Sequence, residues 1–205
     1  MHQSIMHKAV IFDLGRVLIN FDFERGYRTL EGLCPYTAAE IPGRIFGAGL
    51  VRSLETGLIE PREFYAQFSS LLDLTIDYSR FCEIWNCVFT QPLLPESLLE
   101  SLAARYRLVL LSNTNPIHFE WIRADIPHLL RHFHGMALSY QVKAMKPQPE
   151  IYRAAIALAQ CRAEECFFTD DIPEYVEGAR RLGIDAVQFE SGEQIERELR
   201  ARAIL

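Results

Sequence analysis

The chain has 205 residues, of which 49% are hydrophobic and 23% charged, with a formal net charge of -6. That length supports one well-buried core, or a core with a modest insertion, and the acidic balance argues against a nucleic-acid surface, which carries a basic stripe. No apolar run approaches the roughly 18 residues of a membrane span, Met1 to His7 lack the apolar core of an export signal, and five cysteines without a Cys-x-x-Cys pair read as reduced thiols of a cytoplasmic protein.

Lys8-Ala9-Val10-Ile11 predicts a buried strand that opens into the turn Phe12-Asp13-Leu14-Gly15-Arg16. Residues 21–90 then hold few β-rich runs. They carry amphipathic helical patterns over Phe23–Leu30, Ala38–Phe46, Pro61–Leu72 and Tyr78–Val88, with Pro61 suited to a first helical turn. Beyond residue 106 strands and helices alternate. Leu108–Leu111 is a strand ending at Ser112-Asn113-Thr114-Asn115, and Gly135–Leu138 is a weaker one. Glu150–Ala159 is helical, Glu165–Phe168 is a strand leading into Asp170-Asp171, and Tyr175–Leu182 is a helix stopped by Gly183. A last strand at Asp185–Phe189 precedes a charged helix at Glu193–Arg202.

This series predicts an α/β fold, a Rossmann-like doubly wound parallel sheet with an inserted α-helical cap. The expected division is a core of 1–20 and 91–205 and a cap of 21–90 lying over the first strand's carboxyl end.

All strands of a parallel sheet point one way, so residues just past their ends become neighbours. Here those residues are Asp13, Ser112, Asn113, Lys146, Asp170 and Asp171. Each alone has a plainer reading: a Ser or Asp after a strand usually caps a helix, and an Asp-Asp loop is usually solvated. Together they form a phosphoryl-transfer set. Three carboxylates beside a glycine turn suit an oxygen-ligated divalent ion such as magnesium. A serine hydroxyl, backbone amides and an ammonium group would cradle an anion.

Four stretches carry a family resemblance. Phe12-Asp13-Leu14-Gly15-Arg16-Val17-Leu18, Leu111-Ser112-Asn113-Thr114-Asn115, Lys146-Pro147 before Glu150-Ile151-Tyr152, and Phe168-Thr169-Asp170-Asp171 with Val176-Glu177-Gly178-Ala179 resemble, in order, the four motifs of the haloacid dehalogenase superfamily. Asp-Leu-Gly and the stretch Glu55-Thr56-Gly57-Leu58-Ile59 are most similar to the subgroup containing bacterial α-glucose-1-phosphatase. The resemblance implies a magnesium-dependent phosphatase acting on a small phosphorylated metabolite, such as a sugar phosphate, through an aspartyl-phosphate on Asp13. By the same resemblance Ser112, the Asn113 amide and Lys146 hold phosphate, with Asp13, Ser112 and Lys146 as the catalytic set. Magnesium is held by Asp13, the Gly15 carbonyl and Asp171, with Asp170 in the inner or next layer. Oligomeric state is not legible.

Two positions depart from the family pattern. Gly15 stands where most of these phosphatases have an Asp that protonates the leaving group. Tyr175 replaces a frequent asparagine. The first departure leaves open a preference for leaving groups that need little protonation, such as an anomeric oxygen or an acyl phosphate, a substitute group from the cap or a bound water, a 2-haloacid dehalogenase-type hydrolase, or a non-catalytic phosphate-ligand binder. His128 and His132 are spaced i, i+4 but lack a third zinc ligand, so they read as a surface cluster. The pairs Phe64/Phe68 and Trp85/Phe89 read as helix packing.

Overall fold

The computed structural model describes residues 6–205. Most of the N-terminal stretch judged to lack an export signal lies outside the described residues. Five strands form a parallel sheet: β1 (Ala9–Phe12), β4 (Arg107–Ser112), β5 (Gly135–Leu138), β6 (Cys166–Asp170) and β7 (Asp185–Gln188), in the spatial order β5-β4-β1-β6-β7. The two remaining strands, β2 (Ile19–Phe21) and β3 (Phe89–Pro92), pair as a separate antiparallel ribbon.

Side-chain alternation explains why the sheet is covered twice. Val10 and Phe12 of β1, Leu108 and Leu110 of β4 and Phe167 of β6 point into one core. Their neighbours Ala9, Ile11, Val109, Leu111, Cys166 and Phe168 point into the other. Both faces of each central strand are therefore apolar, and each needs helices to exclude water. The first core is closed by α6 (Glu96–Ala103), α7 (Pro116–Asp125), α8 (Pro127–Leu130) and α12 (Gly192–Ala201). The second is closed by α10 (Pro149–Ala159) and α11 (Pro173–Arg180), with the short α9 (Ser139–Val142) beside β5. The expected doubly wound α/β sheet is what is observed.

Along the chain the core strands run outward from β1 to β4 and β5, then return to β6 on its other side. Asp13 follows β1 and Asp170-Asp171 close β6, so the acidic residues sit at this reversal, where open sheets leave a crevice.

Between the ribbon strands lie α1 (Phe23–Glu31), α2 (Ile41–Gly47), α3 (Leu50–Glu55), α4 (Pro61–Leu72) and α5 (Tyr78–Asn86). They enclose a third apolar cluster that includes Phe64, Phe68, Leu54 and Phe81, and Ile117 from α7 reaches into it. The expected junctions at 21 and 90 fall in the ribbon, where Phe21 pairs with Phe89.

Several elements differ from the sequence reading. The second helix starts at Ile41 rather than Ala38, because the Glu40 carboxylate accepts from the Thr37 amide and hydroxyl and holds a turn there. Helix α3 is too short to show a period, and it is preceded by Gly49 in the left-handed region (φ 65°). The ribbon escapes notice because its strands are only 3 and 4 residues long. Helix α8 ends at Leu130, so His132 is not on it, and its Nε2 lies 3.1 Å from Glu96 Oε1. Among the described residues no helix is long and apolar enough to cross a membrane.

Candidate active site

Asp13 leaves β1 with its amide donating to the Thr169 carbonyl at 3.0 Å, which ties the turn to the end of β6. The residue is 7% exposed. Lys146, 133 positions away, reaches it: Nζ donates to Asp13 Oδ1 at 2.7 Å, to Asp170 Oδ2 at 2.5 Å and to the Leu111 carbonyl at 3.3 Å. Asp170 is fully buried, and its other oxygen accepts from the Ile172 amide at 2.9 Å. Carboxylate oxygens of Asp13, Asp170 and Asp171 all lie within 4.8 Å of one another.

The lysine is itself held. Asn113 Oδ1 accepts from the Lys146 amide at 2.8 Å, and Asn113 Nδ2 donates to the Lys146 carbonyl at 3.1 Å. The sequence predicts a role for the main-chain amide of Asn113 alone; the bracing by its side chain depends on a partner 33 positions away and leaves no local signal. Ser112 ends β4 with 2% exposure. Behind it the Ser139 hydroxyl donates to the Thr114 carbonyl and accepts from the Thr114 amide, both at 2.9 Å, which fixes the turn.

Charge in this site is unbalanced, with three carboxylates against one ammonium. Burial drives the Asp13 carboxyl up to about 7, against the opposing pull of Lys146 and with further push from Asp170. Burial opposes the charged form of Lys146 too, but Asp13 and Asp170 outweigh it and hold the ammonium above its usual range. Asp171 is raised by burial and by the charge of Asp170. Oxygen ligands carrying excess negative charge are what a hard divalent cation requires, so the residues present fit magnesium.

A cavity of about 260 Å³ opens beside this cluster. Leu14, Gly15, Ser112 and Asn113 form its core side, and Phe21, Phe68, Trp85 and Phe89 are among its aromatic walls. Phe64 and Phe68 pack on one helix as expected and are fully buried, but Trp85 and Phe89 do not form a helical pair, because α5 ends at Asn86 and Phe89 belongs to β3; Phe68, Trp85 and Phe89 also face the cavity.

At Gly15 a Cβ would come within 2.7 Å of the Phe21 ring. The space that a longer side chain would occupy is filled by that ring, on whose face Arg16 rests its guanidinium at 4.9 Å. Arg16 is exposed and lines a different, open hollow with Asp171. Gly15→Asp is expected to cost about 1–3 kcal/mol through overpacking. Adding Phe21→Ala should recover part of that loss. Urea unfolding of the double-mutant cycle measures the coupling, and strict additivity would contradict the contact.

A model of the haloacid dehalogenase-like hydrolases matches residues 7–183, which is most of the chain and includes every residue just described. The protein belongs to the haloacid dehalogenase-like hydrolase family. Among its relatives, the D-ribitol-5-phosphate phosphatase of Bacteroides thetaiotaomicron is 26% identical over 200 residues, covering 95% of this chain and 97% of that protein. A haloacid dehalogenase family enzyme from the same organism, solved with magnesium and inorganic phosphate, superposes with a TM-score of 0.79 at 29% identity, covering 91% and 96% of the two chains. A HAD-like family hydrolase from Porphyromonas gingivalis superposes with a TM-score of 0.83 at 29% identity, covering 95% and 98%. Family membership makes the buried acidic cluster of this hydrolase its candidate reaction centre.

Proposed function

We propose that this protein is a magnesium-dependent phosphatase that hydrolyses a small phosphorylated metabolite of the sugar or sugar-alcohol phosphate class. The observation that carries the reading is the Lys146 bridge between Asp13 and Asp170, with Asp171 alongside. It presents a nucleophile and an acidic, cation-demanding pocket at one point. The relatives whose names include phosphate as substrate or ligand support the same class.

Asp13 has one oxygen bonded to Lys146 and is the group placed to attack phosphorus, already an anion once its proton is displaced. The Oδ–P bond forms as the ester oxygen departs, and water then cleaves the aspartyl-phosphate. Ser112 and the Asn113 amide take phosphate oxygens, and Lys146 holds a fixed positive charge beside them. Asp13, the Gly15 carbonyl and Asp171 would hold the metal. Asp170, with both oxygens engaged by Lys146 and Ile172, is better suited to orienting the lysine than to binding the ion directly. Magnesium there supplies charge neutralisation and alignment of the phosphate.

Residues 21–90 act as the cap over a core of 1–20 and 91–205. The cap's aromatic wall excludes water from the site and limits the organic part of the substrate to a small molecule. The acidic net charge is unsuited to a nucleic-acid substrate. The free cysteines support a cytoplasmic setting.

Purified protein is expected to hydrolyse p-nitrophenyl phosphate and at least one of a panel of sugar and alditol phosphates in magnesium, with activity abolished by EDTA and restored by the ion. Absence of turnover across the panel, or metal-independent halide release from 2-haloacids, would overturn this function.

A further inference from the structure

We propose that Glu55, from helix α3 of the cap, is the general acid and base of this reaction, replacing the carboxyl that Gly15 cannot supply. The inference rests on the phosphatase reading above and adds the residue that handles the proton.

The position is built. Glu55 ends α3, and the turn that follows is anchored to the core, where Lys143 Nζ donates to the Gly57 carbonyl at 2.6 Å. Gly57 has a left-handed backbone (φ 61°), and a Cβ there would collide with the Tyr140 carbonyl. A glycine is therefore needed for the cap to sit this close. Glu55 thereby lines the same cavity as Gly15, Ser112 and Asn113.

One side chain of the cavity fits the role. Position 15 has no side chain, and Phe21 fills the space where one would go. Among the described residues three titratable side chains line the cavity: Tyr27, Glu55 and His118. His118 is buried, with Nδ1 2.9 Å from Asn86 Oδ1 and its ring stacked on Trp85, and burial lowers it to about 3, so it stays neutral. Tyr27 is raised by burial above the ordinary phenol value, too high to serve as a base. Glu55 is the single carboxyl, and burial brings it to about 7, where both protonation states are populated.

The charged and titratable groups on the packed elements are occupied elsewhere. Arg44 of α2 lies over Tyr36, Arg62 of α4 over Tyr78, Glu63 of α4 accepts from Gln67, and Lys143 beyond α9 is bonded to Gly57. Tyr140 of α9 is bonded to Gln141. No cation is paired with Glu55 among the described residues to hold it ionised.

The proton balance closes over the two half-reactions. As the bond from Asp13 to phosphorus forms and the ester P–O bond breaks, the Glu55 acid gives its proton to the departing alkoxide, releasing the alcohol. The resulting carboxylate then takes a proton from the water that attacks the aspartyl-phosphate. Orthophosphate leaves and the acid form returns.

Comparison of wild type with Glu55→Gln tests this, using p-nitrophenyl phosphate and the alkyl phosphate hydrolysed best in the panel. The variant should lose about 10²–10⁴-fold in kcat/KM on the alkyl ester. With p-nitrophenyl phosphate, whose phenolate needs no proton, it should release one equivalent at close to the wild-type rate and then stall, with acid-trappable phosphate on Asp13. Wild-type kcat/KM on the alkyl ester should fall above about pH 7, a limb absent in the variant. Glu55→Asp, which keeps a carboxyl, should recover part of the alkyl activity and guards against a folding artefact. An equal loss on both substrates with no burst, or an unchanged rate on the alkyl ester, would overturn the assignment. A wild type inactive on every ester would instead defeat the phosphatase reading beneath it.

Discussion

Asp13→Asn is expected to abolish turnover, with a loss on the order of 10⁴-fold or more, as for removal of a nucleophile that works as part of a unit. The amide oxygen that replaces the carboxylate is neutral and forms no stable bond to phosphorus. Neither of its two hydrogen-bonded neighbours substitutes: Lys146 is held protonated by its two carboxylate partners, and Asp170 has both oxygens engaged. Rapid acid quench with radiolabelled substrate should trap phosphate on the wild type and none on the variant.

The same substitution should leave the metal-free protein folded, with a pH signature. In the folded state the Asp13 carboxyl is raised to about 7 from 3.8. Between those values the folded state binds the extra proton, so wild-type stability falls as pH rises through the window and levels off above it. Asp13→Asn lacks that slope. Magnesium should stabilise the wild type more at pH 8 than at pH 5, because at the lower pH it must displace a proton. Thermal melts with and without the ion read both effects. Wild-type turnover surviving in the variant would remove the nucleophile from the account.

Lys146→Met carries the largest expected effect on the fold. The side chain is 1% exposed and stands between two acidic groups, Asp13 at 10% and Asp170 at 0%. Removing one partner of a buried ionic cluster typically costs about 3–5 kcal/mol, because the other charges stay buried without compensation. The cost should be greatest near pH 8. It should shrink toward pH 5, where the stranded carboxyl groups take up protons. Activity should fall by about 10²–10³-fold as the fixed positive charge beside the phosphate is lost. Urea unfolding at the two pH values is the measurement. Equal destabilisation at both would mean that packing, rather than charge, is what the lysine provides.

Much of this site was legible as a consequence of one rule, that residues ending parallel strands meet. The runs Ala9–Phe12, Arg107–Ser112 and Cys166–Asp170 carry β-rich apolar residues on both faces. That pattern alone calls for a central sheet with two helical layers, and the polar residues after each run then fall at one edge. Lys146 belongs to that expected set as well, but the short helix α9 separates it from the end of β5, so it reaches the site from a loop rather than from a strand end. The ribbon and α3 were not legible. They are short, and their stability comes from partners remote in sequence, such as the pairing of Phe21 with Phe89.

The amino-acid sequence by itself determined the parallel sheet, the helical insertion and the set of acidic and basic residues at the strand ends, because strand periodicity and turn chemistry are local properties of the chain. Tertiary structure alone decided how those groups are paired. That Asp170 spends both oxygens on Lys146 and Ile172, that the Asn113 side chain braces the lysine, that Phe21 fills the space at Gly15, and that Glu55 lines the same cavity all depend on contacts between segments distant in sequence. Such contacts form only when burial of the apolar faces brings the segments together, and burial then sets the electrostatics of every group left inside.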